Sequence, residues 1–68
     1  MIYAHTITPR PAEVGGGWRL RLLEDGEEVG GGVFPPVDDF TDPAEALQAA
    51  FDDAEAEAEA WLSSRPQV

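Results

Sequence analysis

The stretch that decides the fold is WRLRLLEDGEEVGGGV, which runs from Trp18 to Val33. Its first half alternates apolar and charged side chains, the period-2 pattern of a strand with one buried face. The dipeptide Asp25-Gly26 follows, and it suits the positive φ angles of a two-residue type I′ turn. The sequence therefore predicts an antiparallel β-hairpin with Asp25 and Gly26 as its loop residues.

The turn also predicts the register of the hairpin, because two loop residues leave Glu24 opposite Glu27. Counting outward gives the other opposed pairs: Leu22 with Val29, Leu20 with Gly31, and Trp18 with Val33. The face expected to be buried is apolar and consists of Trp18, Leu20, Leu22, Val29 and Val33. The opposite face is expected to carry Arg19, Arg21 and Leu23 across from Gly32, Gly30 and Glu28. Since consecutive glycines leave nothing to pack, either that face is flat or the strand bulges there.

The flanking segments complete an α+β domain. Residues 1–8 are rich in β-branched and aromatic types and are predicted to form the first strand. Prolines and glycines then make a loop before the hairpin strands at 17–24 and 27–34, and Phe34-Pro35-Pro36 ends the third strand. The prediction is a three-stranded antiparallel sheet within residues 1–34, a linker at 35–42, a helix at 43–63 that covers one face, and a tail at 64–68.

The helix has a marked beginning and end. Asp42 is the expected N-cap, Pro43 occupies the first helical position and Glu45 the third, as in a capping box. An apolar stripe is expected to cover the sheet and consists of Leu47, Phe51, Ala54, Ala58 and Trp61, with Leu62 beside it. Arg65 suits the negative end of the helix dipole, and Pro66 prevents continuation.

The rest of the helix surface divides into two strips. One flank is acidic and carries Glu45, Asp52, Glu55 and Glu59. A smooth outer strip is formed by Ala46, Ala49, Ala56 and Ala60. Neighbouring carboxylates repel each other by a few tenths of a kcal/mol, and the helix has no lysine to relieve them. The acidic flank is either a solubilising surface or a docking surface for arginines of a partner or a second copy.

Composition limits the classes of function. Fourteen acidic residues against four arginines give a formal net charge of -10, so nucleic acid and anionic membranes would repel the chain. Nine of the carboxylates lie between Asp38 and Glu59, where no basic residue occurs, so a basic protein partner should meet this half. Arginine without lysine, with abundant Ala, Gly and Pro, indicates a GC-rich bacterial genome.

The size and the lack of cysteine predict a homodimer. A 68-residue chain has a thin core and no disulfide or thiolate metal site to stabilise it, which favours self-association. The N-terminus has no secretory pattern, and no stretch approaches the ~20 apolar residues of a membrane span. A cytoplasmic location is therefore expected, with no contact to membranes.

The side chains that catalysis needs are scarce. The single histidine, His5, lies in a predicted strand, and the serines Ser63 and Ser64 have no predictable base nearby. The carboxylates of Asp38-Asp39 and Asp52-Asp53 match no calcium loop, and the glycine runs lack the lysine of a phosphate-binding loop. We expect no catalytic residue, no metal and no cofactor.

The most suggestive polar pair is Arg19 and Arg21, which alternate on one strand and so point to the same face. With Gly30 and Gly32 opposite, they would leave room for a planar or acidic object. Candidates are an acidic helix of a partner or of a second copy, since guanidinium groups bind carboxylates bidentately, and a nucleic-acid strand. The alternative is an ordinary solvated sheet face.

The stretches LLEDG at 22–26, VFP at 33–35 and TDPAEAL at 41–47 resemble the HicB-type antitoxin domain. That family has an acidic hairpin, a strand that ends in Phe-Pro and a helix that opens in a similar way. The resemblance implies an oligomer that neutralises a small basic ribonuclease toxin. The segment from Gly16 to Pro35 also resembles short uncharacterised proteins of proteobacterial mobile elements. The chain departs from the HicB pattern in lacking the Asp-Leu-Pro-Gly segment after Phe-Pro, the strand between that segment and the helix, and a C-terminal DNA-binding segment.

Two functions are therefore expected. The first is a non-enzymatic interaction module, antitoxin-like or regulatory, which would lose its partner when Arg19 and Arg21 are replaced. The second is an acidic nucleic-acid mimic that blocks a DNA- or RNA-binding protein, and it would depend on Asp52, Glu55 and Glu59 instead. The candidate partner-binding residues are Arg19, Arg21, Gly30, Gly32, Asp52, Glu55 and Glu59.

Overall fold

A three-stranded antiparallel sheet and one helix make up the fold. The computed structural model describes residues 2–65. The strands are adjacent in chain order and are β1 (Tyr3–Pro9), β2 (Trp18–Glu24) and β3 (Glu27–Phe34). A short 3-10 turn at Ala12–Val14 lies in the loop between β1 and β2, and helix α1 (Pro43–Ser63) follows the sheet. The predicted β-β-β-α architecture is confirmed.

The turn at Asp25-Gly26 has the predicted conformation. Asp25 has φ 51° and Gly26 has φ 86°, so both residues are left-handed, as a type I′ turn requires. Asp25 also holds the N-terminal end of β1. Its backbone N–H donates to the carbonyl of Ile2 at 2.8 Å, and its Oδ1 accepts from the Ile2 N–H at 2.8 Å. The turn therefore aligns all three strands.

The predicted hairpin register holds only beside the turn. Glu24 lies opposite Glu27, but the register shifts between Leu23 and Leu22. Beyond the shift the opposed pairs are Leu22 with Gly30, Leu20 with Gly32, and Trp18 with Phe34. The predicted pairings of Leu22, Leu20 and Trp18 are therefore wrong, and the alternative of a bulged strand is confirmed. Val29 is the extra residue of the β-bulge.

The bulge changes which side chains of β3 face the helix. Phe34 takes the place expected for Val33, and it packs against the core beside Ile7. Val29 and Val33 were both expected to be buried, but they are 53% and 52% exposed. The shift thus buries the larger apolar side chain. Gly31 makes the irregular backbone possible, because its φ is 143° and a Cβ there would overlap the carbonyl oxygen of Leu20.

Helix α1 begins and ends as its local sequence predicts. The Oδ1 of Asp42 accepts from the Ala44 N–H at 2.9 Å, which confirms the N-cap, and Pro43 is the first helical residue. Ser64 caps the C-terminal end, and the Arg65 guanidinium lies 5.4 Å from the centroid of the Trp61 ring. The predicted stop at Pro66 lies outside the described residues.

A row of buried alanines runs along α1, and two of its members, Ala54 and Ala58, pack on Leu20 and Leu22 of the sheet. Its members are spaced by four residues and are buried: Ala46, Ala50, Ala54 and Ala58. The placement of Ala46 on the outer strip is therefore wrong, and Ala50 was not expected in the stripe. Small side chains let the helix axis approach the strands closely, so Leu47, Phe51 and Trp61 flank the row and remain half-buried. The fully buried sheet residue under the row is Leu20, 1% exposed.

Aromatic side chains fasten both ends of α1 to the sheet. The Trp18 and Phe51 rings meet edge-on at 5.0 Å, and the Trp18 indole N–H donates to the carbonyl of Leu47 at 2.8 Å. At the other end Tyr3 and Trp61 make an edge contact at 5.7 Å. These contacts fix the helix along its length. No element within residues 2–65 covers the opposite face of the sheet.

Candidate interaction surfaces

The uncovered side of the sheet is a candidate docking surface, which we call the open face. Residues directly opposite each other on neighbouring strands share a face of the sheet. The register therefore places three sets of cross-strand neighbours on the open face, each with one residue from each strand, and we call these sets rungs. The rungs are Ala4-Leu23-Glu28, Thr6-Arg21-Gly31 and Thr8-Arg19-Val33. The open face therefore mixes small, apolar and charged side chains.

Two arginines of the open face share one carboxylate. Arg19 Nη2 lies 3.8 Å from Glu28 Oε2, and Arg21 Nε lies 3.7 Å from Glu28 Oε1. All three side chains are about half exposed, so these long ion pairs contribute little to folding. Each guanidinium has five N–H donors, more than a shared carboxylate can accept from. The pair thus keeps donors and one net positive charge for another molecule.

The glycines of β3 lie differently from the prediction. Gly30 and Gly32 are opposite Leu22 and Leu20, so their predicted pairing with Arg21 and Arg19 is wrong. Gly31 lies opposite Arg21 instead. A shallow depression of about 420 Å³ lies here, and Gly30, Gly31 and Gly32 line it together with Arg19. The expected space beside an arginine therefore exists, and all three glycines border it.

The outer side of α1 is the second candidate surface. We call Glu45, Asp52, Glu55 and Glu59 the acidic face, and all four are exposed, as predicted. Asp53 and Glu57 on the neighbouring flank are exposed as well. Among residues 2–65, the ion pairs join Arg19 and Arg21 to Glu28 and involve no carboxylate of α1. The negative field of the helix is therefore uncompensated by the described part of the chain.

The two remaining arginines have other contacts. Arg10 donates to the carbonyls of Gly16 at 2.9 Å and Val14 at 3.0 Å, so it holds the loop between β1 and β2 together. Arg65 lies over Trp61 and donates to Ser64 Oγ at 3.1 Å. Both arginines act on the fold around them, and the acidic face lacks a cation from either.

A groove with an aromatic wall adjoins the acidic face. It measures about 250 Å³ and is lined by Phe40, Glu45, Gln48, Ala49 and Asp52. Phe40 is 43% exposed, and Gln48 Nε2 donates to Asp52 Oδ1 at 3.0 Å. Phe40 is not among the residues that the sequence patterns predict for binding. An aromatic residue among carboxylates just before the helix cap is the signal that indicates it.

The residues considered for catalysis and metal binding are dispersed. His5 is exposed and lies opposite Leu22 in the sheet, while Ser64 donates from Oγ to the Trp61 carbonyl at 2.8 Å. Within residues 2–65, no three His, Asp or Glu side chains converge where a metal ion could be held.

Comparison of the chain with protein-family models, with curated proteins and with solved structures finds no match. Helix α1 is too polar to cross a membrane, and the described residues contain no other long helix. The open face and the acidic face are the features from which a function can be argued.

Proposed function

We propose that this chain is a non-enzymatic protein-binding module that docks a basic protein partner through its acidic face. The sequence assigns such a module to Arg19 and Arg21, but both arginines lie near Glu28, whereas the carboxylates of the acidic face have no cation beside them in the described chain. The observation that carries the proposal is the run of exposed carboxylates on α1, none of which is paired with a cation in the described chain. Charges of one sign on an ordered surface attract an oppositely charged protein and raise its association rate.

Rigidity of the helix supports this assignment. Trp18 and Trp61 fasten α1 near both ends, and the alanine row seats it on the sheet. The carboxylates therefore have fixed backbone positions before a partner arrives. Preorganisation lowers the entropy cost of binding, so an ordered acidic helix is a better docking element than an acidic tail.

The groove beside Phe40 offers an anchor within the acidic face. An arginine or lysine of the partner would lie against the exposed ring with Glu45 and Asp52 at either side. Cations are attracted to aromatic faces and to carboxylates, and arginine is enriched among the residues that dominate interfaces.

We favour an antitoxin-like or regulatory role for the protein. It would act in the cytoplasm of a bacterium and be encoded by a mobile element. The HicB-type resemblance implies a small basic ribonuclease as the partner. Such a protein has the charge that the acidic face attracts, and binding would be strongest at low salt.

Mimicry of nucleic acid is a second candidate, and the charge density of α1 favours it. Five carboxylates occur between Asp52 and Glu59. Eight helical residues rise about 12 Å, which gives about one charge per 2.4 Å. That density lies between the ~1.7 Å per charge of duplex DNA and the ~3.4 Å of one strand. A protein with a basic nucleic-acid groove would meet a similar field on α1.

The test is capture of partners from the source cells by immobilised chain, compared between two triple variants. Asp52→Asn/Glu55→Gln/Glu59→Gln removes three charges from the acidic face. Glu13→Gln/Glu24→Gln/Glu27→Gln removes the same number elsewhere. We expect the first variant to weaken binding of the captured protein at least tenfold and the second to change it less than threefold, with binding of wild type falling as salt rises.

Two outcomes refine or overturn the proposal. Equal weakening by both triple variants would show that net charge alone attracts the partner, and the acidic face would then be only a solubilising surface. Competition by added DNA or RNA for the captured protein would favour the nucleic-acid mimic over the antitoxin-like role.

A further inference from the structure

We propose that the open face is a homodimer interface in which two copies pack sheet against sheet about a twofold axis. This inference uses a surface different from the acidic face, so it goes beyond the proposed function. A three-stranded sheet with one wet face is common, but here the wet face carries the exposed Val33 and two arginines that share a carboxylate as well.

The size of the open face is that of a weak, concentration-dependent dimer interface. Strands of seven or eight residues run for about 25 Å, and three of them span about 15 Å, so each open face measures roughly 375 Å² in projection. Face-to-face packing then covers roughly 750 Å² in total, which is at the low end for protein interfaces. The apolar share comes from Val33, 52% exposed, and from the half-buried Leu23.

The overall negative charge of the chain disfavours any orientation that brings the acidic helices of two copies together. The chain carries a net charge of -10, yet on the open face two arginines outnumber one glutamate. Packing the open faces together places the least negative surfaces in contact and directs both acidic helices outward. Sheets packed face to face lie about 10 Å apart, and each helix lies on the far side of its own sheet, so the two acidic helices are farther apart than the Debye length of ~8 Å.

The open face also has charges that can complement a copy of itself. A twofold axis makes every contact reciprocal, so an arginine that meets Glu28 of the second copy implies the converse pair. Arg19 and Arg21 both reach Glu28 in one copy at 3.7 to 3.8 Å, which places donors and acceptor at one spot. If the twofold axis passes near this spot, the arginines of each copy can pair with Glu28 of the other copy.

Docking of the open face on the acidic helix of another copy is less consistent with these features. Such a contact is heterologous and continues into chains unless it closes. It would also bring the acidic helix of the second copy close to the first copy, whose net negative charge repels it. The face-to-face arrangement closes after two copies and leaves both acidic faces free.

A charge exchange between two variants tests the interface by sedimentation equilibrium. Arg21→Glu and Glu28→Arg each place like charges across the twofold axis, so each alone should weaken dimerisation at least tenfold. An equimolar mixture restores opposite charges in both reciprocal pairs, and its dimer should return to within about threefold of wild type. Ala56→Glu/Ala60→Glu, which matches the net charge of Arg21→Glu on the outer side of α1, should dimerise like wild type.

The opposite results are equally clear. A wild-type monomer at millimolar concentration, or a mixture that stays monomeric while circular dichroism shows both variants folded, would overturn the dimer. Oligomers that grow with concentration and vanish on Asp52→Asn/Glu55→Gln/Glu59→Gln would replace it with the heterologous contact.

If a charge variant lost structure, Val33→Ser carries the same expectation of weaker dimerisation. Because Arg21→Glu leaves the acidic face intact, its binding to a basic partner reports on the proposed function separately.

Discussion

The two faces of strand β2 differ although their residues alternate along one segment. Leu20 and Leu22 are 1% and 8% exposed under the alanine row of α1, whereas Arg19 and Arg21 between them remain about half exposed. The covered face supplies most of the folding free energy, because apolar burial is its largest favourable term. The open face contributes little to folding and is therefore the side on which charge can serve binding.

In strand β3 a run of glycines fixes only weakly which residues face the helix and which face the open side. With Gly30, Gly31 and Gly32 in sequence, no side chain penalises a one-residue shift. The contacts at the two ends of the run decide the register: the turn at Asp25-Gly26 and the packing of Phe34. The two contacts require registers that differ by one residue, and the bulge at Val29 accommodates this extra residue.

The largest effect should come from shortening the central residue of the covered face. Leu20→Ala removes a fully buried side chain and should lower the free energy of unfolding by about 3 kcal/mol. A domain of this size has roughly 3–10 kcal/mol in total, so the variant should be near its unfolding limit. At a protein concentration too low for dimerisation, Arg21→Ala, its neighbour on the open face, should stay within about 0.5 kcal/mol of wild type. Urea titration followed by tryptophan fluorescence compares them, and equal losses would contradict the division of the strand into two faces.

A second pair of variants tests the shifted register. Gly31→Ala forces a side chain onto a backbone with φ 143° and against the Leu20 carbonyl, so it should cost roughly 2–3 kcal/mol. Gly32→Ala places its Cβ 3.8 Å from the Phe34 ring, an ordinary contact, and should change stability by less than about 1 kcal/mol. Thermal unfolding by circular dichroism distinguishes the two. The reverse order of midpoints would indicate that the strand is not bulged.

The helix offers a matched pair for the same comparison. Ala54 is completely buried, so Ala54→Leu should overpack the contact with the sheet and cost about 2 kcal/mol. Ala56 lies on the exposed side, and Ala56→Leu should remain within about 0.5 kcal/mol. Chemical denaturation of both proteins measures the difference. Similar values would mean that the alanine row is not the surface that meets the sheet.

The smallest effect concerns the hydrogen bond that fastens one end of α1. Trp18→Phe keeps an aromatic ring near Phe51 but removes the indole donor to the Leu47 carbonyl. The loss should be about 1 kcal/mol, since a hydrogen bond contributes about that amount net. Because Trp61 remains as a fluorophore, urea titration still reports unfolding. An unchanged midpoint would show that ring packing alone holds this end.

Local signals in the sequence were sufficient for the elements of the fold. The turn follows from Asp25-Gly26, and the helix runs from Pro43 to Ser63 as its cap and its alanine content predict. For the candidate surfaces, strand alternation predicted the exposure of Arg19 and Arg21. The helical period predicted that the carboxylates of the acidic face are exposed.

Contacts between elements account for what the sequence argument missed. Ala46 and Ala50 were not recognised as core because a helical wheel ranks residues by hydrophobicity, and large side chains outrank alanine. Close approach of a helix to a sheet instead favours the smallest residues at the centre of contact. Phe40 was overlooked because its groove exists only where the linker meets α1.

The sequence by itself determined the type and order of the strands and the helix and the ends of β3 and α1, because caps, turns and periodicity act between residues a few positions apart. The end of β1 was predicted wrongly, since Pro9 pairs with Trp18 and does not begin the loop. The sequence also determined the acidic character of α1, which composition sets directly. Only the tertiary structure decided that Val29 bulges, that Phe34 rather than Val33 is packed, and that alanines seat the helix. Those choices depend on competition between side chains for one limited core, and that competition is settled only when distant segments meet.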